Sequence, residues 1–137
     1  EHPMARLYRE APLNSIWEGS GNVICLDVLR AMQREPDAFA ALRSELTEAT
    51  GADVRYDALV SRIESALAAP KELEMNARRV VEDLALALQA SLMIQNGDAV
   101  VRDAFLASRL GKQRYACFGS LPHGVAADSI IDRAMPS

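Results

Sequence analysis

The sequence predicts an all-α domain, an up-down bundle of about five to six helices. Apolar residues recur at spacings of three and four through most of the chain, the period of a helix with one buried face. No segment alternates apolar and polar residues in the two-residue period of a half-buried strand. Hydrophobic residues make up 50% of the chain and aromatic residues only 5%, so the core is built from Ala, Leu, Val and Ile, a composition that favours helix. At 137 residues there is enough chain for one domain with a real core, and 1–137 reads as a single domain.

Taken in order, residues 1–12 place Arg6, Arg9 and Glu10 around Leu7 and Tyr8. This is a helical tail-end that Pro12 stops, because its ring removes a donor and disfavours helix in the residue before it. The stretch 13–29, LNSIWEGSGNVICLDVL, follows. It joins an apolar entry (Ile16, Trp17) to one carboxylate, Glu18, and to a turn of small residues, Gly19, Ser20 and Gly21. Asn22 is expected to cap a helix over 23–34, with Cys25, Leu29 and Met32 on its buried side. Pro36 restarts the chain, and Phe39, Leu42, Leu46 and Ala49 predict a helix over 37–50, closed by Gly51 at a position that takes positive φ. Asp53 is expected to cap the next helix, whose stripe is Tyr56, Leu59, Val60, Ile63 and Leu67. Pro70 sits where a first turn tolerates it, and Glu72 and Glu74 suit the positive end of a helix. From there Leu73, Ala77, Val80, Val81, Leu84, Leu88 and Leu92 predict one helix to Gln95, roughly 25 residues and about 37 Å long. Its second half, LALALQASLMI, is apolar on nearly every side, which places it centrally. Asp98 is expected to cap a helix through Leu110. An irregular run over 112–124 and a short helix over 126–134 complete the chain.

Charge and cysteine content exclude some classes. The net charge is −4 and the pI about 5.2, so the chain repels phosphate backbones on average and binds nucleic acid only through a local basic patch. Arg78 and Arg79 read as a solvated helix face, and Arg109, Lys112 and Arg114 as a candidate patch. Cys25 and Cys117 make no disulfide framework. Two buried thiols in a reducing, cytoplasmic setting are expected. His2 and His123 lie far apart with no second ligand at metal spacing, so no metal site is expected. The opening residues lack the basic start and apolar run of a signal peptide. The apolar run 84–94 contains Gln89 and Ser91 and falls short of the roughly 20 apolar residues of a membrane span. The first residue is Glu1 rather than Met, and the chain is expected to be either processed or cut from a longer one.

By spacing alone, Glu18 reads first as an ordinary turn or capping carboxylate rather than a catalytic one, and Trp17 reads first as core. Beside an indole, though, a carboxylate is partly desolvated, which raises its basicity.

The run YREAPLNSIWEGSGNVICLDVLRAM, residues 8–32, resembles the C-terminal helical domain of the flavin-dependent acyl-CoA dehydrogenase superfamily, and within it the AidB-like, alkylation-response branch. The family carries an aromatic residue, then Glu-Gly-Thr, ahead of a helix. Here Trp17, Glu18, Gly19, Ser20, Gly21 and Asn22 take those places. The resemblance implies that Glu18 matches the general base that takes the α-proton of an acyl thioester while the β-hydride goes to the flavin. It implies that Ser20, Gly21 and Asn22 approach FAD, and that Trp17 shapes the substrate cavity. Trp17 replaces the commoner Tyr and Ser20 the commoner Thr, which implies a differently shaped acyl cavity. The family's N-terminal helical and middle β-domains have no counterpart in this sequence. The chain is therefore expected to be an inactive C-terminal portion, 1–30 being its active-site and flavin-contact segment and 31–137 its bundle.

The expected partners are an acyl-CoA-like substrate and FAD in the parent, and further copies of the chain, through the apolar run 84–94 left without a cover. The AidB-like branch also implies DNA. Residues 1–30 hold three of the chain's 15 basic and four of its 19 acidic residues, leaving 12 and 15, a poor footprint for duplex binding. The competing reading is a DNA-binding or oligomerisation module with a vestigial flavin site.

Overall fold

The computed structural model describes residues 3–17, 19–112 and 119–135. Among these there is no strand, and the fold is all-α as expected. The helices are α1 (Met4–Glu10), α2 (Gly21–Arg34), α3 (Pro36–Thr47), α4 (Val54–Leu67), α5 (Pro70–Leu73), α6 (Ala77–Asn96), α7 (Ala99–Phe105) and α8 (Ala127–Ala134). A 3₁₀ turn, Ala11–Ser15, follows α1, and a π-helical turn, Leu106–Leu110, prolongs α7. The described residues thus hold eight α-helices rather than five to six.

The surplus has a local cause. The helix expected from Pro70 to Gln95 is broken between α5 and α6. Asn76 leaves helical geometry at φ −100° and ψ 7°, and its side-chain amide donates to the carbonyl of Glu72 at 3.1 Å. A short amide side chain that bonds nearby backbone competes with the helical ladder. The spacing of Leu73, Ala77 and Val80 carries across the break unchanged, so periodicity does not register it. Other punctuation follows expectation. Asp53 accepts from the Arg55 amide at 2.8 Å, and Asp98 from the amides of Val100 and Val101 at 3.0 and 3.3 Å. Gly51 has φ +85° and donates its amide to Asp57 Oδ1 at 2.9 Å.

The centre of the fold is α6, which packs against α2, α3, α4 and α7. The main core joins Leu46 and Ala49 to Tyr56, Leu59 and Ile63 of α4, to Val80, Leu84, Ala87 and Ala90 of α6, and to Leu106. A second, smaller core between α2 and α6 holds Cys25, Leu29 and Ala77. Ala87 and Ala90 are fully buried, and their small side chains let neighbouring helices come close. The run 84–94 is therefore spent largely inside the domain, and its one exposed large apolar side chain is Leu92. The exposed apolar side chains lie mainly at the other end of the chain, at Met4, Leu7, Tyr8, Leu13, Ile16, Trp17, Val23 and Ile24.

Buried polar groups tie the helices together. The Tyr56 hydroxyl donates to the Leu46 carbonyl at 2.6 Å. Ser91 Oγ donates to the Glu45 carbonyl at 3.0 Å. Arg62 holds the buried Asp83 with two hydrogen bonds, 2.7 and 2.9 Å, joining α4 to α6. Arg43 and Glu64 pair in the same bidentate way between α3 and α4, at the surface. Paired forks of this kind fix orientation, and exposed ones contribute little to stability.

Candidate functional site

The turn into α2 is built from backbone. The amides of Ile16 and Trp17 both donate to the Leu13 carbonyl, at 3.0 and 2.8 Å, and the Gly19 amide to the Ile16 carbonyl at 3.2 Å. Gly19 then takes φ +125°, a conformation that disfavours a side chain; a Cβ there would also lie 3.4 Å from Val23 Cγ1. The chain straightens at Ser20 (φ −71°, ψ 158°), and α2 begins.

This corrects the expected cap. Ser20, not Asn22, occupies the N-cap position, and its hydroxyl makes no capping hydrogen bond. Asn22 lies within the first turn of α2. Its side-chain oxygen accepts from Arg78 Nη1 of α6 at 3.3 Å. The first-turn amides of α2 therefore have no side-chain acceptor from Ser20, and free amides at a helix start favour anions.

The expected site residues stand as follows. Ser20, Gly21 and Asn22 come together at the start of α2, with Ser20 and Asn22 exposed and Gly21 half-buried. Trp17 is 62% exposed and Ile16 67%, so within this chain the indole borders solvent and walls no cavity. Glu18 lies outside the described residues, as do Cys117 and Arg114. Cys25 is a buried free thiol.

One neighbour of the turn was not legible from sequence. Arg78, expected on a solvated face, reaches across from α6 to the first turn of α2. Arg79 instead borders a groove with Arg62, Asn76 and Asp83. No local signal separates these two arginines, because the difference arises from how α6 crosses α2.

An apolar cavity lies elsewhere. It measures about 420 Å³ and is lined by Leu29, Met32, Phe39, Leu67 and Leu73 among others, with Arg43 and Glu64 at its edge. Leu29 is about 12 Å along α2 from Gly21, so this cavity is separate from the turn. Among the described residues there is no group of three or more His, Cys, Asp or Glu that could hold a metal ion, and no helix long and apolar enough to cross a membrane.

Among the described residues, perturbed titrations occur in the bundle. Hydrogen bonding to Arg55 holds the Asp53 carboxyl below the usual range, against the opposing effect of burial. Burial pushes the Tyr56 phenol up, with Ser91 pulling the other way.

A turn of small residues between Trp17 and a helix start, in an all-α bundle, is what the resemblance to acyl-CoA dehydrogenase C-terminal domains implies. The similarity extends well beyond the turn. Over 72 residues, 53% of this chain, the sequence is 44% identical to AidB of Escherichia coli (strain K12), an acyl-CoA dehydrogenase-like protein. The match spans 13% of that relative's length. No family model matches the chain.

Proposed function

We propose that this chain is the C-terminal helical portion of an acyl-CoA dehydrogenase-like flavoprotein. The observation that carries the reading is the Trp17-to-Asn22 turn feeding α2, in a chain 44% identical to AidB over 72 residues. Glu18 is the general base: its carboxylate takes the proton α to the thioester carbonyl of an acyl-CoA-like substrate. FAD, when bound, would supply the acceptor for the β-hydride that leaves as a CH–CH bond becomes a double bond. Ser20, Gly21 and Asn22 would hold the flavin dinucleotide, and Trp17 would line the substrate cavity.

The residues present suit that cofactor. Gly21 brings no side chain, Ser20 keeps its hydroxyl out of the cap, and the α2 start offers amides and a positive dipole end to an anionic group. The exposure of Trp17 supports a cleft completed by other parts of the parent. Without them the cleft is incomplete, and these 137 residues alone are inactive. A cytoplasmic setting fits the free thiol of Cys25.

The test uses the full-length parent. It should carry flavin absorbance that an acyl-CoA bleaches anaerobically, and Glu18→Gln should abolish bleaching while keeping the flavin. A parent without flavin, or a Glu18→Gln variant that bleaches like wild type, refutes the reading.

The exposed apolar side chains from Met4 to Ile24 favour a second reading, in which this face docks against another copy of the chain. Light scattering across a concentration series tests it, and a strictly monomeric chain at high concentration refutes it. DNA binding has weaker support, since Arg43, Arg55 and Arg62 are each paired with a carboxylate. A gel shift insensitive to salt would count against it.

A further inference from the structure

We infer that Arg78 is a positioning residue that clamps the first turn of α2 and so fixes Ser20, Gly21 and Asn22. Its consequence for a cofactor rests on the function proposed above; the clamp itself rests on geometry alone.

Three observations converge on it. Arg78 Nη1 donates to Asn22 Oδ1 at 3.3 Å, bridging positions 56 residues apart. The same nitrogen fills the space that a Cβ on Gly21 would need, with the rest of the guanidinium close behind it. Gly21 is helical and is not among the positive-φ glycines, so its backbone gives no reason for glycine, which a helix otherwise disfavours. The guanidinium supplies the reason. Finally, the base of Arg78 is held firmly. Ala77, beside it, is buried against Cys25 and Leu29 of α2, and Val80 is buried in the main core.

Electrostatics points the same way. A cation over the positive end of a helix is unfavourable for that helix. Helix stability is therefore no reason to keep Arg78 there, whereas orienting the turn is. The Asn22 side-chain oxygen is turned to Arg78, and the guanidinium covers the Cβ side of Gly21.

The experiment starts with the 137-residue chain and needs no cofactor. Arg78→Ala should speed hydrogen exchange at the Ile24 amide, which bonds the Ser20 carbonyl at 3.0 Å, by about five-fold, with α4 and the second half of α6 unchanged. Gly21→Ala should push the guanidinium aside and do the same, and the double variant should add nothing. Arg78→Lys, which keeps charge but loses the planar fork, should fall between. Unchanged exchange in Arg78→Ala, uniformly faster exchange, or additive effects of the two variants would each overturn the clamp.

In the full-length parent, the FAD dissociation constant should rise about five-fold in Arg78→Ala and less in Arg78→Lys. Weaker FAD binding with unchanged exchange would mean direct contact and would overturn positioning. A wild-type parent that takes up no flavin refutes the proposed function and leaves the clamp to be decided by exchange.

Discussion

Removing one hydroxyl, by Tyr56→Phe, tests how α3 is joined to α4. Tyr56 is fully buried and its hydroxyl donates to the Leu46 carbonyl at 2.6 Å. Leu46 lies in the last turn of α3, which ends at Thr47, where carbonyls lack a partner within the helix. The Thr50 amide, the natural candidate four residues on, bonds Thr47 instead. The phenol thus serves as a C-terminal cap delivered from another helix. Phenylalanine fills the same space, so no cavity forms, and the cost is that of stranding a buried carbonyl, about 1–3 kcal/mol. In a chain of this size that lowers Tm by about 3–10 °C and shifts the urea midpoint with an unchanged slope. Circular dichroism during urea unfolding reads it directly. A loss under about 0.5 kcal/mol would show that the Leu46 carbonyl is satisfied some other way and would refute the cap. Alkaline pH gives an independent check. Burial raises the folded-state pKa of Tyr56, so its contribution is complete below the ordinary tyrosine value. It falls once pH passes that value, about 10, because the unfolded chain then ionises first, and it is lost through the raised folded-state value. Tyr56→Phe should therefore lose less stability than wild type as pH rises.

Other substitutions separate the remaining interactions. Leu59→Ala, at a position 1% exposed in the main core, should cost about 2–5 kcal/mol in the same unfolding assay; a smaller loss would mean that the core collapses around the gap. Asp98 both caps α7 and pairs with Arg133 of α8 at 3.1 Å. Asp98→Ala should cost about 1 kcal/mol and Asp98→Asn much less, while both loosen α8 to limited proteolysis; equal stability losses would argue against the cap. Because Asp53 is held below the usual carboxylate range by Arg55, its contribution is present above the unfolded pKa and is lost as pH falls through the depressed folded value. Asp53→Asn keeps a capping side chain and should flatten the acid limb of a stability-versus-pH curve.

Much of the bundle was legible in the chain. The α2, α4 and α8 spans follow from apolar spacing plus a cap, a proline or a glycine, because those signals act within one turn of helix. What escaped depended on contacts or on competing bonds. The break at Asn76 leaves hydrophobic spacing intact and shows only in a side-chain hydrogen bond to Glu72. Ser20 displaced Asn22 as the cap because the chain straightens one residue after a positive-φ glycine; the small-residue turn was visible and its register was not. In the candidate site, Trp17 and the α2 start are expected from a motif. Arg78 was not, since nothing near it in sequence distinguishes it from Arg79. The exposure of Trp17 is likewise a property of the packing, and a tryptophan at this position reads, on its own, first as core.

The central place of α6 has a mechanical consequence. The helix is one rod shared by two tasks: its middle, around Ala87 and Ala90, meets neighbours that tolerate no added volume, and its first turn carries the guanidinium that meets α2. The two are about 18 Å apart along the axis. A bulkier residue at Ala90 that slides or tilts the rod would lift Arg78 away from Asn22 without touching either. Substitutions deep in the bundle should therefore be felt at the turn, and variation at the alanines of α6 is constrained from both of its ends.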